Sequence, residues 1–163
     1  MPIHIWWLNS GATTHVSHSL KGFTTRRAAR PEEKLYLGTG DIIQVELVGT
    51  FRLILSSGHV LDLEETFYVP FLRRNLISIS RLLSFGHHVI FRDFNCNVNI
   101  HGKFVGSALL VDGLFRLTLD VSYEKFLSGV SSSHNILLTS AKRSRILLQS
   151  SMLWHQRLGY ISK

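Results

Sequence analysis

Short apolar and alternating runs, separated by Gly, Ser, Asp and Asn, make up most of the chain up to Leu119. Runs of this kind, about four to eight residues long, are typical of β-strands. The pattern predicts strands over residues 3–8, 34–37, 42–48, 51–55, 60–63, 66–69, 89–91, 97–100, 103–111 and 114–119. Apolar residues three and four apart over 76–85 instead predict one short helix, which ends at Gly86.

One short helix among many short strands predicts an all-β fold, a small closed β-barrel, over residues 1–119. The strand pattern fades after Asp120. Residues 120–145 include a Ser/Gly-rich stretch and a basic stretch, which predicts a linker with at most a transient helix. Residues 146–163 carry a different, helical spacing that is too short to fold alone.

Composition and charge narrow the class of protein. A hydrophobic share of 45% in 163 residues argues against global disorder and suits one domain with a short extra segment. The net charge is +7, with the basic residues in three small clusters. No aromatic residues interleave with these clusters, so solvated loops are favoured over a nucleic-acid surface. The clusters are Arg26, Arg27 and Arg30; Arg73 and Arg74; Lys142, Arg143 and Arg145.

Cysteine and histidine usage predicts neither a disulfide nor a metal site. The single Cys96 cannot form an intrachain disulfide, which fits a reducing compartment, and it is expected to be a small buried residue. Histidines pair locally at His15 with His18 and at His87 with His88. A zinc site needs three or four converging ligands, so these are interpreted as surface or turn residues. No cofactor is predicted.

No apolar run approaches the length of a membrane span, and the N-terminus lacks the pattern of a signal peptide. The sequence therefore predicts no membrane contact and a cytoplasmic location.

The segment Trp6-Trp7-Leu8-Asn9-Ser10-Gly11-Ala12-Thr13 carries the most specific chemistry. An apolar strand that ends in Asp-Ser-Gly or Asp-Thr-Gly is typical of aspartic proteases. The strand delivers the carboxylate, the small residues allow a tight turn, and the glycine amide can donate to the carboxylate. Here Asn9 stands in the place of the carboxylate.

Four stretches together resemble the Copia-type (Ty1/Copia) LTR retrotransposon Pol polyprotein. Their sequences are most similar to those of elements common in plant genomes. Each matches a motif of that family, and the four occur in the family's order over nearly the whole chain. They are Trp6 to His15; Leu37 to Asp41 with Val45 to Gly49; Thr66 to Pro70 with Arg74 to Leu82; and Leu153 to Tyr160, which resembles the start of the Gag-pre-integrase segment.

The resemblance implies a retropepsin-like β-barrel that acts as a homodimer, each subunit giving one Asp, and that cuts the Gag-Pol polyprotein inside a virus-like particle. It implies that Asn9, Ser10 and Gly11 occupy the catalytic loop, with the Ser10 hydroxyl helping to bridge the two subunits. The turn of Gly38, Thr39, Gly40 and Asp41 would correspond to the flap over the substrate. Residues 75–78 would pack under the active site, with Ser78 in the family's glycine place.

The pair of zinc-binding histidines that the family carries is incomplete in this chain. His155 matches the family's first zinc histidine, but Tyr160 replaces the second, and the chain ends before any Cys-x-x-Cys. No bound metal is therefore predicted.

An aspartic protease works with two carboxylates that share one proton: one activates water and the other donates to the developing oxyanion. Two Asn9 amides cannot supply the base, which predicts a degenerate, inactive relative of the endopeptidase. Asp41 and Asp62 are interpreted as solvated loop acids rather than substitutes.

Two other functions stay open. One is a non-enzymatic module that binds peptides in the retained cleft or binds nucleic acid through its basic loops. The other is a heterodimer with an Asp-bearing relative, in which this chain would act mainly as an inhibitor.

Overall fold

The computed structural model describes residue 2 and residues 4–129, which form an all-β architecture with two short helices. The helices are α1 (Ile79–Ser84) and α2 (Val121–Ser128). The strands are β1 (Trp6–Asn9), β2 (Val16–Ser17), β3 (Arg27–Ala28), β4 (Lys34–Tyr36), β5 (Ile42–Gln44), β6 (Leu47–Ile54), β7 (Val60–Tyr68), β8 (Asn75–Ser78), β9 (His87–Phe91), β10 (Asn95–Ile100), β11 (Lys103–Val111) and β12 (Leu114–Leu117). The predicted all-β class is confirmed.

Ten of the strands form one sheet in the order β3-β6-β7-β2-β8-β1-β12-β11-β10-β9, and β4 and β5 form a separate hairpin. The end strands β3 and β9 pair with β6 and β10 and not with each other. The prediction that the β-barrel is closed is therefore wrong, because no hydrogen-bonded ladder joins the two end strands. Closure by hydrogen bonds fails because β3 is only two residues long and offers almost no edge to pair with.

The open sheet nevertheless curls around one core. Phe51 and Leu53 of β6 are buried in the same cluster as Val98 of β10 and Leu117 of β12. At the same end the Leu55 segment bridges to Leu119, so the loop after β6 is tied to the segment after β12. Burial of these large apolar side chains is the main stabilising contribution to the curled shape. A smaller cluster lies under the β4–β5 hairpin, formed by Val16, Val45, Val48, Val69 and Leu76.

Local differences from the predicted strands have clear causes. The strand predicted over 42–48 breaks at Val45 and Glu46, where the pairing changes from β4, opposite β5, to β3 and β7, on either side of β6. The strands predicted over 60–63 and 66–69 are one strand, β7. Glu65, which has a positive φ of 53°, lies at the register shift between Gly49 and Phe51 of β6, and the ladder continues beyond it.

The helix predicted over 76–85 is wrong in its first part. Residues 75–78 form β8, which is parallel to β1, and all four are buried. The helix begins only at Ile79, with the Ser78 side chain accepting from the Arg81 amide as its N-cap. The apolar pair Leu76 and Ile77 is compatible with the periodicity of a helix or of a strand. Residues 75–78 form a strand because they pair with β1.

A second helix makes the expectation of a single helix wrong. Asp120 caps α2 by accepting from the Tyr123 amide at 2.9 Å, and Gly129 ends the helix with a φ of 74°. Leu127 is buried in the main core. The start of the segment predicted as a linker thus forms a packed helix. Residues 130–163, with the predicted Gag-pre-integrase segment 146–163, lie outside the described residues, and the domain boundaries stay predictions.

Neither of the two described helices has the length and apolar character needed to span a membrane.

Candidate functional site

The strand that carries Asn9 lies in the middle of the sheet. β1 pairs in parallel with β8, with Asn9 opposite Ser78, and antiparallel with β12. Trp6 and Leu8 point into the main core and are buried, so the alternation of β1 fixes its register. Asn9 is therefore delivered to the end of a strand that is held on both sides.

The Asn9 side chain closes the turn that follows β1. Its Oδ1 accepts from the backbone N–H of Gly11 at 2.7 Å and of Ala12 at 3.0 Å. Both partners are donors, so the amide oxygen must face the loop and the NH₂ group must face away from it. This is the local side-chain-to-backbone arrangement of an Asx turn. The sequence predicts a tight turn at Ser10 and Gly11 and a Gly11 N–H that donates to the side chain at position 9, and this contact is present with an amide oxygen as the acceptor.

Two serines hold the far side of the same turn. Ser78 Oγ donates to the Ala12 carbonyl at 2.6 Å, and Ser80 Oγ reaches the same oxygen at 3.5 Å. We call the turn of residues 9–12 with these contacts the signature loop. Ser78 was identified in the sequence only as a departure from the family glycine, and its bond to Ala12 is a contact that local pattern cannot indicate. Ser10 is exposed, and its predicted role at a subunit contact stays a prediction.

His15 supports the signature loop from below. It is buried, and its Nδ1 accepts from the Ser78 backbone N–H at 3.1 Å. Burial, then the charges of Arg81 and His87, lower the pKa of His15 to about 3, so the imidazole is neutral near pH 7. The interpretation of His15 as a surface or turn residue is wrong, and the same holds for buried His87, whose pKa is also lowered by burial.

The predicted flap forms the tip of the β4–β5 hairpin. The Leu37 amide donates to the Asp41 carbonyl at 2.8 Å, and the Thr39 hydroxyl donates to the Asp41 carboxylate at 2.6 Å. Gly40 has a φ of 88°, which favours glycine in this turn. Gly38, Thr39, Gly40 and Asp41 are all exposed.

An ion-pair network fastens the base of the hairpin to the main sheet. Arg27 donates to both carboxylate oxygens of Glu33, at 2.7 and 2.8 Å, and to Glu65 at 2.8 Å. The Glu33 carboxylate also accepts from the Arg30 amide. Hydrogen bonds from Arg27 and Arg30 lower the pKa of Glu33 to about 2 and keep it ionised. The hairpin is thereby joined to β3 and β7.

A cavity of about 270 Å³ separates the signature loop from the hairpin. The structure thus brings together two segments that the sequence analysis singled out, the loop at Gly11 and the hairpin at Leu37. The walls are mainly apolar, which suits an apolar side chain of a ligand. The lining residues are Gly11 to Thr14, Val16, Lys34 to Leu37, Phe67 and Leu76. Asn9 and the hairpin tip, Gly38 to Asp41, are not among them.

The two acids considered as substitutes have other partners. Asp62 receives two hydrogen bonds from Arg52, at 2.7 and 2.8 Å, and these bonds lower its pKa. Asp41 accepts from Thr39 at the exposed tip of the hairpin. Neither residue lines the cavity.

Several basic residues within the described part of the chain have partners in the protein itself. Arg27, Arg52 and Arg116 are paired with carboxylates. Arg74 stacks over Trp7 at 5.1 Å. The third basic cluster, 142–145, lies outside the described residues. Nucleic-acid binding stays a prediction without support from this geometry.

Within residues 2 and 4–129, no group of three or more His, Cys, Asp or Glu side chains could hold a metal ion. His155 and Tyr160 lie outside that part of the chain. Cys96 is buried and free, as predicted, and burial raises the pKa of its thiol to about 11. It is therefore a protonated core residue rather than a nucleophile.

Residues 6–87, about half of the chain, match the family model described as the Pol polyprotein β-barrel domain. The chain belongs to this family. It is 28% identical over 157 residues to the retrovirus-related Pol polyprotein from transposon RE2 of Arabidopsis thaliana. The aligned region covers 96% of this chain and 10% of that polyprotein. It is 27% identical over 155 residues to the corresponding polyprotein from transposon RE1 of the same plant, covering 95% and 10%.

This Pol β-barrel chain therefore spans about a tenth of the length of these curated relatives. No solved structure matches it. The family predicted from four ordered motifs, a Copia-type Pol polyprotein, is confirmed, and the chain is related to a region of a retrotransposon Pol protein.

Proposed function

We propose that this Pol β-barrel region keeps the backbone of an aspartic-protease catalytic loop but does not cleave peptides. The observation that carries the proposal is the position of the Asn9 amide. Its oxygen accepts two loop N–H groups at 2.7 and 3.0 Å, which is the contact that a carboxylate would make in the same place. The same loop could hold an acid with both contacts kept, and here it holds the neutral isostere.

The missing group is the proton acceptor. An amide can orient water and donate a hydrogen bond, but it is not a base near neutral pH. General-base assistance contributes roughly a hundred- to ten-thousand-fold in rate. Residues that act as a unit lose most of their effect when any member is removed, so an amide in each subunit of a homodimer would abolish useful turnover.

A peptide-cleavage assay tests the proposal. The purified chain should show no turnover of a library of extended apolar peptides. The Asn9→Asp variant should gain at least about a hundred-fold over it. Asn97→Asp, the same chemical change on the half-buried strand β10, serves as the matched control and should stay inactive. Turnover by the natural chain, with Asn9 verified as an amide by mass spectrometry, would contradict the proposal.

The cavity favours a second candidate function, the binding of an extended peptide without cleavage. Its volume of about 270 Å³ and its apolar walls suit a large aliphatic or aromatic side chain. Lys34 and Tyr36 add polar groups at the hairpin wall, where a peptide backbone could accept hydrogen bonds. Peptides of the Gag-Pol polyprotein are the partners expected from the resemblance.

Peptide titration monitored by NMR tests this second candidate. Tyr36→Ala removes an exposed side chain from the cavity wall and should weaken binding about tenfold. Phe104→Ala removes a similarly exposed aromatic ring outside the cavity and should leave affinity unchanged. Equal effects of the two substitutions, or shifts that avoid the signature loop, would count against binding in the cavity.

Assembly and location follow from the same proposal. By resemblance we expect a homodimer, within a virus-like particle in the cytoplasm, with the signature loops meeting at the two-fold axis. Analytical ultracentrifugation of the purified chain measures the first expectation. A monomer at all concentrations would contradict it.

A further inference from the structure

We infer that Asn9 is a site of spontaneous deamidation, in which the folded signature loop converts this amide into a carboxylate. The inference starts from the fixed orientation of the side chain. Its oxygen is bound by Gly11 N–H and Ala12 N–H, and within the part of the chain that the structure describes no hydrogen bond engages its Nδ2.

The two N–H groups form an anion site around the amide oxygen. Attack by any nucleophile on Asn9 Cγ moves negative charge onto Oδ1. Donors that stabilise such a charge in acyl-transfer enzymes lie about 2.7–3.1 Å from the oxygen. The donors of Gly11 and Ala12 lie 2.7 and 3.0 Å from the oxygen of the intact amide, so both N–H groups are at hand for the charge that develops on this atom.

The reaction needs only water as a co-reactant. The backbone nitrogen of Ser10 loses its proton to solvent and bonds to Asn9 Cγ, which places the negative charge on Oδ1. The Cγ–Nδ2 bond then breaks, ammonia leaves with a proton from solvent, and a cyclic imide remains. Water adds to the imide at Cγ, the Cγ–N bond breaks, and the proton returns to the Ser10 nitrogen. The net change is amide plus water to carboxylate plus ammonium.

The loop also directs the second half of the reaction. Water that attacks the imide at Cγ gives aspartate, whereas attack at the backbone carbonyl carbon of residue 9 gives isoaspartate. Charge develops between the two N–H donors only in the first case, so aspartate should predominate. The resulting carboxylate would keep both contacts as charge-assisted hydrogen bonds, which are stronger than those of the amide.

The exposure of the loop to solvent also supports deamidation at Asn9. Asn9 is half-buried and Ser10 is exposed, so water can reach Cγ and ammonia can leave. Asn75 provides a contrast inside the same molecule. It is buried in β8, and its Nδ2 donates to the Ile5 carbonyl at 3.0 Å. Its amide is therefore held at both ends and should persist.

Peptide mapping by mass spectrometry after incubation at neutral pH tests the inference. The peptide containing Asn9 should gain one mass unit about tenfold or more faster in the folded chain than in the same chain in urea. Fragmentation should show mainly aspartate. Asn75 and Asn97 should stay unchanged in the folded chain. Conversion no faster than in urea, or mainly to isoaspartate, would overturn the inference.

A variant isolates the role of the loop donors. Ala12→Pro removes one of the two N–H groups, and we expect conversion to slow about tenfold or more. Thr13→Pro removes a neighbouring N–H that does not contact Asn9 and is the matched control. Equal rates in both folded variants would overturn the role of the donors. If Ala12→Pro fails to fold, the comparison of the folded and unfolded natural chain still decides.

The deamidation test measures a different quantity from the peptide-cleavage assay of the proposed function. Mass spectrometry detects the conversion whether or not any peptide is cut. An amide that persists in an inactive chain would refute only this inference, whereas cleavage by a chain that is still an amide would refute only the proposed function.

Discussion

The backbone around position 9 accepts an amide with two hydrogen bonds that a carboxylate could also make. The single atom that differs, nitrogen in place of oxygen, decides whether the loop holds a base. The surrounding residues show how closely the loop is specified: Ser78 holds Ala12, and His15 holds Ser78. The substitution Asn9→Asp should therefore change the chemistry of the loop with little change of its fold.

Gly49 is a residue whose side chain must be absent. A Cβ at this position would lie 2.0 Å from the Thr25 carbonyl oxygen, a backbone atom that cannot move aside alone. We expect Gly49→Ala to lower the free energy of unfolding by about 1–3 kcal/mol in urea denaturation. In Gly106→Ala, the new atom meets the side-chain end of Leu55, which can turn. A loss for Gly106→Ala as large as that for Gly49→Ala would contradict the argument.

His15 should make the stability of the chain depend on pH. Its pKa is about 3 when folded and about 6.5 when unfolded, so between these values only the unfolded chain binds the proton. The free energy of unfolding should therefore fall as pH falls from about 6.5, by up to about 1.4 kcal/mol per pH unit for this group. Above pH 6.5 it should not contribute.

Urea denaturation at pH 7 and pH 5 measures this dependence. His15→Gln keeps an acceptor for the Ser78 amide but cannot titrate, so its stability should change less between the two pH values. His18 and His87 also have pKa values lowered by burial and remain in the variant as a background. An unchanged pH dependence in His15→Gln would show that His15 is not the sensor.

At the scale of elements, the hairpin of β4 and β5 depends on one arginine. Arg27 joins Glu33, at the base of the hairpin, to Glu65 of β7. We expect Arg27→Met to increase amide hydrogen exchange over Lys34–Gln44, because the base of the hairpin loses its ion-pair link to the main sheet and keeps only its apolar and backbone contacts. Arg52→Met breaks a comparable ion pair, Arg52 with Asp62, within the β6–β7 ladder and should leave hairpin exchange unchanged.

The sequence predicts elements well where the local pattern alone decides them. β11 (Lys103–Val111) and the turn between β4 and β5 match the prediction because alternation and turn residues are local signals. The strand β8 was missed because its identity depends on pairing with β1, about 70 residues earlier. The second helix was missed because its amphipathic pattern is short and Leu127 is its one fully buried residue.

The candidate site divides in the same way. Asn9, Gly11 and the hairpin were predicted because each belongs to a contiguous motif. His15 and Ser78 were not predicted as partners, because their contact joins residues far apart in sequence and lies within the buried sheet. No spacing rule in the chain points to such a pair.

At the scale of the whole molecule, the two ends of the main sheet differ. The β3 end is short and carries Arg27 in its ion pairs, a typical protection of a sheet edge. The β9 end is five residues long, pairs with β10 without a shift, and exposes Ile90 and Phe91. A regular apolar edge is a template for unwanted strand pairing.

We expect Ile90→Lys to raise the temperature at which the protein aggregates, because a charge on the β9 edge opposes pairing between chains. Ala28→Lys adds the same charge at the β3 edge and should have little effect. Light scattering during heating measures both. If the two substitutions raised the aggregation temperature equally, the effect would be due to net charge and not to the β9 edge.

The position of β1 has a consequence for the order of events during synthesis. This strand is translated before both of its partners, because Leu8 lies opposite Ile77 on one side and Phe115 on the other. Pairings between such distant segments form slowly because long loops must close first. The Trp6-Trp7-Leu8 segment of the nascent chain therefore lacks a partner on at least one side until nearly the whole domain has been translated, and we expect chaperones to bind it during that time.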